Sequence, residues 1–111
     1  MQIFFSVHFK RQLKKLDKKY KHVVDDFLNV IGSFNPAREI SIGRSIYRIR
    51  IPSTDMNKGK SGGFRSYVYV YVKKEMLLPL CIYPKSEIEG ITESELKYHF
   101  DATIREIVDI S

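Results

Sequence analysis

The chain has one cysteine in 111 residues, three histidines and no run of eighteen apolar residues. A single thiol cannot build a disulfide framework, and Cys81, in an apolar segment, reads as a buried thiol kept reduced in a cytosol. Without about eighteen consecutive apolar residues, a membrane-spanning helix is not expected. The opening Met1-Gln2-Ile3-Phe4-Phe5 is apolar, but no basic residue precedes it and no small-residue cleavage site follows, so it reads as a strand and not as a leader. His8, His22 and His99 are scattered, and none stands at metal-ligand spacing from a carboxylate or the cysteine, so each reads as a surface or helix residue. No metal and no other cofactor is expected. Repeats, linkers and low-complexity stretches are missing too, which leaves residues 1–111 as one domain with one core.

What the chain does have is positive charge, unevenly spread. Net charge is +6, yet residues 1–85 carry 17 Lys and Arg against 6 Asp and Glu, whereas residues 86–111 carry 2 against 7. That asymmetry points to a nucleic-acid surface on the first part, with the acidic tail elsewhere. A solvated lysine exterior is the plain alternative.

The stretch that concentrates the signal runs Asn57-Lys58-Gly59-Lys60-Ser61-Gly62-Gly63-Phe64-Arg65 and continues into Ser66-Tyr67-Val68-Tyr69-Val70-Tyr71-Val72. Its second half alternates with period two. Phe64, Ser66, Val68, Val70 and Val72 fall on one strand face and Arg65, Tyr67, Tyr69 and Tyr71 on the other. Its first half is a loop in which three glycines permit positive φ or close approach to a ligand. Lys58, Lys60 and Arg65 crowd there with one carboxylate nearby, Asp55, which suits a polyanion. Gly59-Lys60-Ser61 echoes the end of a phosphate-binding P-loop, but the first glycine of that motif would be Thr54, and a strand follows where a helix should.

In chain order, residues 2–7 form a short strand. Ser6 caps a helix whose Phe9, Leu13, Leu16 and Tyr20 share one face, and the opposite face carries a lysine set that includes Lys14, Lys15 and Lys18. That set is a soluble exterior or an electrostatic footprint on RNA. A second helix covers roughly 22–34 and ends at Asn35-Pro36. Ile46 to Ile51 alternates, with Arg48 and Arg50 on one face and Tyr47, Ile49 and Ile51 opposite. After the basic loop and the 64–72 strand comes a tight turn at 73–75. Leu77 to Tyr83 is a third strand, and Pro79 within it marks an edge or a bulge. Thr92-Glu93-Ser94-Glu95 is a capping box opening a final helix with Leu96, Phe100, Ile104 and Ile107 on its apolar face. The order is β-α-α-β-β-β-α, an α+β fold with a central antiparallel sheet flanked by an N-terminal helical pair and a C-terminal helix.

Cationic chemistry is what the residues offer. RNA can be cut through its own 2′-OH, provided a protein orients the attack, stabilises the phosphorane and moves two protons. Arginine supplies a permanent planar fork for phosphate oxygens, and crowded lysines lower one another's pKa. Tyrosines on the Arg65 face either stack bases or lie under a helix.

The run Ile46-Tyr47-Arg48-Ile49-Arg50-Ile51, the stretch Lys58 to Arg65, the aromatic strand and Ile82-Tyr83-Pro84-Lys85-Ser86-Glu87 together resemble the RelE/HigB-like toxins of bacterial toxin–antitoxin pairs. The opening Phe9 to Tyr20 resembles that family's first helix, so the likeness spans nearly the whole chain. The resemblance implies a small α+β toxin fold and a cytoplasmic endoribonuclease that cuts mRNA in the ribosomal A site without metal. It also implies a cognate antitoxin, often of helix-turn-helix type. By position, Arg65 matches the phosphate-stabilising arginine, Lys58 and Lys60 the basic pair before the glycines, and Lys85 a basic position after the last strand. Ser86 stands where some members have a second arginine, no His or Glu matches the acid or base of others, and Tyr83 is the nearest candidate for a tyrosine used beyond the last strand. Arg48, Arg50, Lys14, Lys15 and Lys18 are the expected RNA-contacting set. Two other readings stay open: a toxin of the same fold that poisons gyrase without cutting RNA, and a protein that binds RNA or the ribosome only.

Overall fold

A serine starts the first helix. The computed structural model, which describes residues 1–56 and 62–110, shows the Ser6 hydroxyl accepting the Phe9 amide at 2.9 Å, and α1 runs Val7–Asp17 from that cap. Lys14 and Lys15 fall in its last turn, where positive charge complements the helix dipole. Phe9 and Leu13 are buried and Leu16 half-buried, as their spacing requires. The second helix, α2 (Val23–Ile31), is shorter than the 22–34 expected from sequence, and it buries Val23, Phe27 and Ile31 against α1 and the sheet. Its N-cap, His22, makes no side-chain cap bond, but Asp25 and Asp26 in the first turn favour the positive end of the dipole.

The described residues form a five-stranded sheet: β1 (Gln2–Ile3), β2 (Ile40–Ser41), β3 (Ile46–Ile51), β4 (Phe64–Tyr71) and β5 (Met76–Pro84), in spatial order β1-β5-β4-β3-β2. With a third helix, α3 (Glu93–Ile110), the architecture is α+β as expected. The first strand, expected over residues 2–7, spans only Gln2–Ile3, since Ser6 already caps α1. Two further details differ from the sequence reading. The sheet is mixed, because β1 lies parallel to β5, while β2 through β5 pair antiparallel. The extra strand, β2, is only two residues long, too short to show a period.

The proline in β5 marks a bulge in an interior strand, between β1 and β4, and not an edge. Tyr67 pairs with Cys81 and Val68 with Pro79, so Leu80 is the additional residue. Short β1 reaches only Met76 and Leu77. Beyond it a side chain replaces the missing strand: Gln12 Nε2 donates to the Leu80 carbonyl at 3.2 Å, and its Oε1 accepts the Ile82 amide at 3.0 Å. An interior strand is thereby left with few orphaned backbone groups.

The two sheet faces are covered differently. One carries Ile49, Ile51, Phe64, Val68 and Val70 under α1 and α2. The other carries Ile46, Tyr67 and Tyr83 with Tyr69 beside them, and packs against Ile91, Leu96 and Phe100 at the start of α3. The expected capping box is present: the Glu95 amide donates to Thr92 Oγ1 at 3.1 Å, and the Thr92 amide to Glu95 Oε1 at 3.0 Å. Farther along α3, the Glu106 carboxylate accepts the amides of Val7 and His8 at 2.7 and 3.0 Å, joining the helix to the start of α1. No described helix is long and apolar enough to cross a membrane.

Candidate nucleic-acid interface

Period-two alternation places Arg65 on the face away from α1 and α2, and the register then decides its neighbours. Arg65 is directly opposite Arg50 on β3 and directly opposite Tyr83 on β5. Directly opposed residues on a sheet sit about 4.5–5.5 Å apart at Cα with side chains on the same face. Arg50, Arg65 and Tyr83 therefore form one lateral row across three strands. Next along the strands, Arg48 is opposite Tyr67. Arg50 is exposed, and Arg48 and Arg65 are half-buried. No carboxylate pairs with any of the three guanidiniums among the described residues. Like charges set opposite each other without a counter-charge cost stability, and an anion bridging the two planar forks would relieve that cost.

Tyr83 is 5% exposed, and its hydroxyl has no hydrogen-bond partner among the described residues. Its ring stacks on Tyr67 with centroids 6.5 Å apart. Burial first, and then the adjacent Tyr67 side chain, push the Tyr83 pKa well above the ordinary tyrosine value, against the pull of the Arg65 charge. The hydroxyl is enclosed beside Tyr67, away from any surface an anion could reach among the described residues, and burial makes it poorly suited to act as a base.

The basic loop meets the sheet at Gly63. This residue has φ +95°, and a Cβ there would lie 2.7 Å from the Ile51 carbonyl oxygen, so only glycine fits. Its carbonyl accepts the Lys85 amide at 3.2 Å, which ties the half-buried residue after β5 to the start of β4. The other stem of the loop is held by α2. Asp26 accepts the Thr54 amide at 2.9 Å and the Thr54 hydroxyl at 2.5 Å. Asp55 accepts the His22 amide at 2.7 Å and meets His22 Nδ1 at 2.7 Å. That contact raises the His22 pKa and lowers that of Asp55. Asp55, seen in the sequence as the carboxylate near the lysines, is thus a partner of His22. Lys58 and Lys60 lie outside the described residues.

The remaining expected residues divide. Lys14, Lys15 and Lys18 are exposed on α1, whose apolar side packs on the opposite face of the sheet from Arg65, so the structure does not bring them into the Arg50–Arg65–Tyr83 row. Tyr67 is buried under the start of α3, whereas half-buried Tyr69 meets Phe100 edge-on at 5.0 Å and also lines an open groove. Cys81 is buried and its pKa is pushed up to about 12 by that burial, which makes it a core thiol.

Sequence reasoning missed Gln12, Glu106 and the pairing of two histidines. His8 Nε2 and His99 Nδ1 are 2.7 Å apart, and burial lowers the pKa of each. These contacts join residues 68 to 99 positions apart, a separation that no local pattern reports.

No protein-family model matches the chain, and no curated protein matches it. Among solved structures it is similar to a mutant of the E. coli toxin RelE in the free state, at 15% sequence identity, with 96% of each chain covered and a TM-score of 0.47.

Proposed function

We propose that this chain is the toxin of a bacterial toxin–antitoxin pair, a single cytoplasmic domain that cuts mRNA on the ribosome. The observation that carries the reading is the row of Arg50 and Arg65, directly opposed with no carboxylate paired to either among the described residues. The sequence resemblance to the RelE/HigB-like toxins supports it independently.

In this reading the scissile phosphate lies over Arg65 and Arg50. The RNA 2′-oxygen attacks phosphorus, its proton passes to a base, the new 2′-O–P bond forms, and the P–O5′ bond breaks as the 5′-oxygen takes up a proton. The products are a 2′,3′-cyclic phosphate and a 5′-OH. The arginines stabilise the additional negative charge of the phosphorane, and buried Tyr83 backs Arg65 from the same row. Lys58 and Lys60 are the proposed proton carriers, with Lys85 at the edge of the site. Exposed Lys14, Lys15 and Lys18, on the far layer, suit a ribosomal phosphate surface better than the cut strand. A cognate antitoxin covers the Arg65 face.

Inducing the protein in bacteria and mapping mRNA 5′ ends tests this. Cuts within codons of translated messages are expected. Growth arrest with DNA breaks and intact mRNA would turn the reading to a gyrase poison, and arrest with neither would turn it to ribosome binding alone.

A further inference from the structure

The face that carries Arg65 continues along β4 into a groove of about 840 Å³, between the β2–β3 turn and the start of α3. This is within the range of small-ligand sites. Ile46, Tyr67, Tyr69, Leu96 and Phe100 line it with buried or half-buried apolar and aromatic surface. Its charged lining is balanced, with Arg44 and Lys97 set against Glu93 and Asp101, and Lys97 already paired to Asp101 at 2.7 Å. A phosphate gains nothing from a neutral site flanked by two carboxylates. A nucleobase gains on both counts: its ring meets aromatic surface, and its edge carries N–H groups for Glu93 and Asp101 and acceptors for Arg44.

From these observations we infer that the groove is a nucleobase pocket, holding one base of the RNA strand whose phosphate lies on the arginine row. The inference rests on the nuclease reading for the identity of the strand. Continuity of the sheet face supplies the rest. Tyr69 is four residues beyond Arg65 on β4, about 13 Å at about 3.3 Å per residue, and Tyr67 between them is opposite Arg48. Backbone phosphate and base thus fall on one strand face, sorted by charge: arginines with no carboxylate paired to them among the described residues at one end, balanced charges over aromatic rings at the other.

Nucleosides and ribose 5-phosphate separate the two halves of a nucleotide and test this without any cleavage. Each is titrated into the full-length protein while NMR follows the ring resonances of Tyr69 and Phe100. At least one of adenosine, guanosine, cytidine and uridine should shift them saturably, and ribose 5-phosphate should not. Phe100→Leu should weaken nucleoside binding about tenfold, the usual share of one base–aromatic stack. Asp101→Ala, at a half-exposed helical position whose side chain pairs with Lys97, should weaken it several-fold, and Arg65→Ala should leave it unchanged. No nucleoside shift, equal binding of ribose 5-phosphate, or full affinity in Asp101→Ala would overturn the pocket. Nucleoside binding in a protein that cuts no mRNA would instead overturn the nuclease reading and leave the pocket standing.

Discussion

Along β4, Phe64, Val68 and Val70 point to one face of the sheet, and Arg65, Tyr67 and Tyr69 to the other. The first set is at most 5% exposed and sits under α1 and α2 beside Phe9 and Phe27. The second set is graded. Tyr67 is buried under the start of α3, Tyr69 is half-buried, and Arg65 lies toward the strand start with another arginine opposite it. One strand therefore anchors a core and presents cations, and the stiffness of the core face fixes the spacing of the charged one. The difference between the faces is a difference in what a substitution should cost.

The largest stability effect belongs to the core face. Phe64→Ala should lower unfolding free energy by about 3–5 kcal/mol, the usual range for a fully buried phenylalanine, as measured by urea denaturation. Arg65→Ala, one residue on, should change it by no more than about 1 kcal/mol and can raise it, since it removes the repulsion with Arg50. Equal losses at both positions would erase the contrast.

Gly63 sits where the faces begin, and it tests the joint between loop and sheet. Gly63→Ala should cost about 1–3 kcal/mol, because φ +95° strains any side chain and the added Cβ meets the Ile51 carbonyl. Gly90→Ala, at a glycine outside the left-handed region where an added Cβ meets nothing within 4 Å, should cost less. Similar losses in the two variants would show that the strained backbone at Gly63 is not what matters.

The smallest effect concerns the other stem of the loop, and it depends on pH. His22 has a raised pKa, so its contribution is complete below the ordinary histidine value and is lost as pH rises through the raised one. Asp55 has a lowered pKa, so its contribution is complete above the ordinary carboxylate value and is lost as pH falls through the lowered one. The tie is therefore strongest between the two ranges, in mildly acidic to neutral solution. An NMR titration of His22 should show its pKa fall toward the ordinary value in Asp55→Asn, and an unchanged value would remove Asp55 as the cause.

The sequence carried the parts of this molecule that obey short periods. Ser6, the Thr92–Glu95 box, the alternation of β3 and β4 and the positive φ of Gly63 before β4 are each legible within a few residues, because caps, pleats and turns are local. Register is not local: nothing in Arg50, Arg65 or Tyr83 alone says that they share a row. Nor does a glutamine in a basic helix announce that it completes the edge of a strand about seventy residues away. The parallel pairing of β1 escaped for the same reason, since two residues have no period and their partner is far along the chain. The tyrosines of β4 left two readings open, because an aromatic facing a helix and one facing solvent have the same spacing.

The most direct measurement uses a reconstituted translation system with purified ribosomes, a defined mRNA and either the wild-type protein or Arg65→Ala, each shown by urea denaturation to be folded. The wild type should cut the message only while it is translated and leave a 2′,3′-cyclic phosphate, and Arg65→Ala, equally stable, should cut at least about a hundredfold more slowly, as expected when a principal transition-state charge partner is lost. Cleavage by Arg65→Ala at the wild-type rate would contradict the account, since the opposed arginines would then have no part in the chemistry.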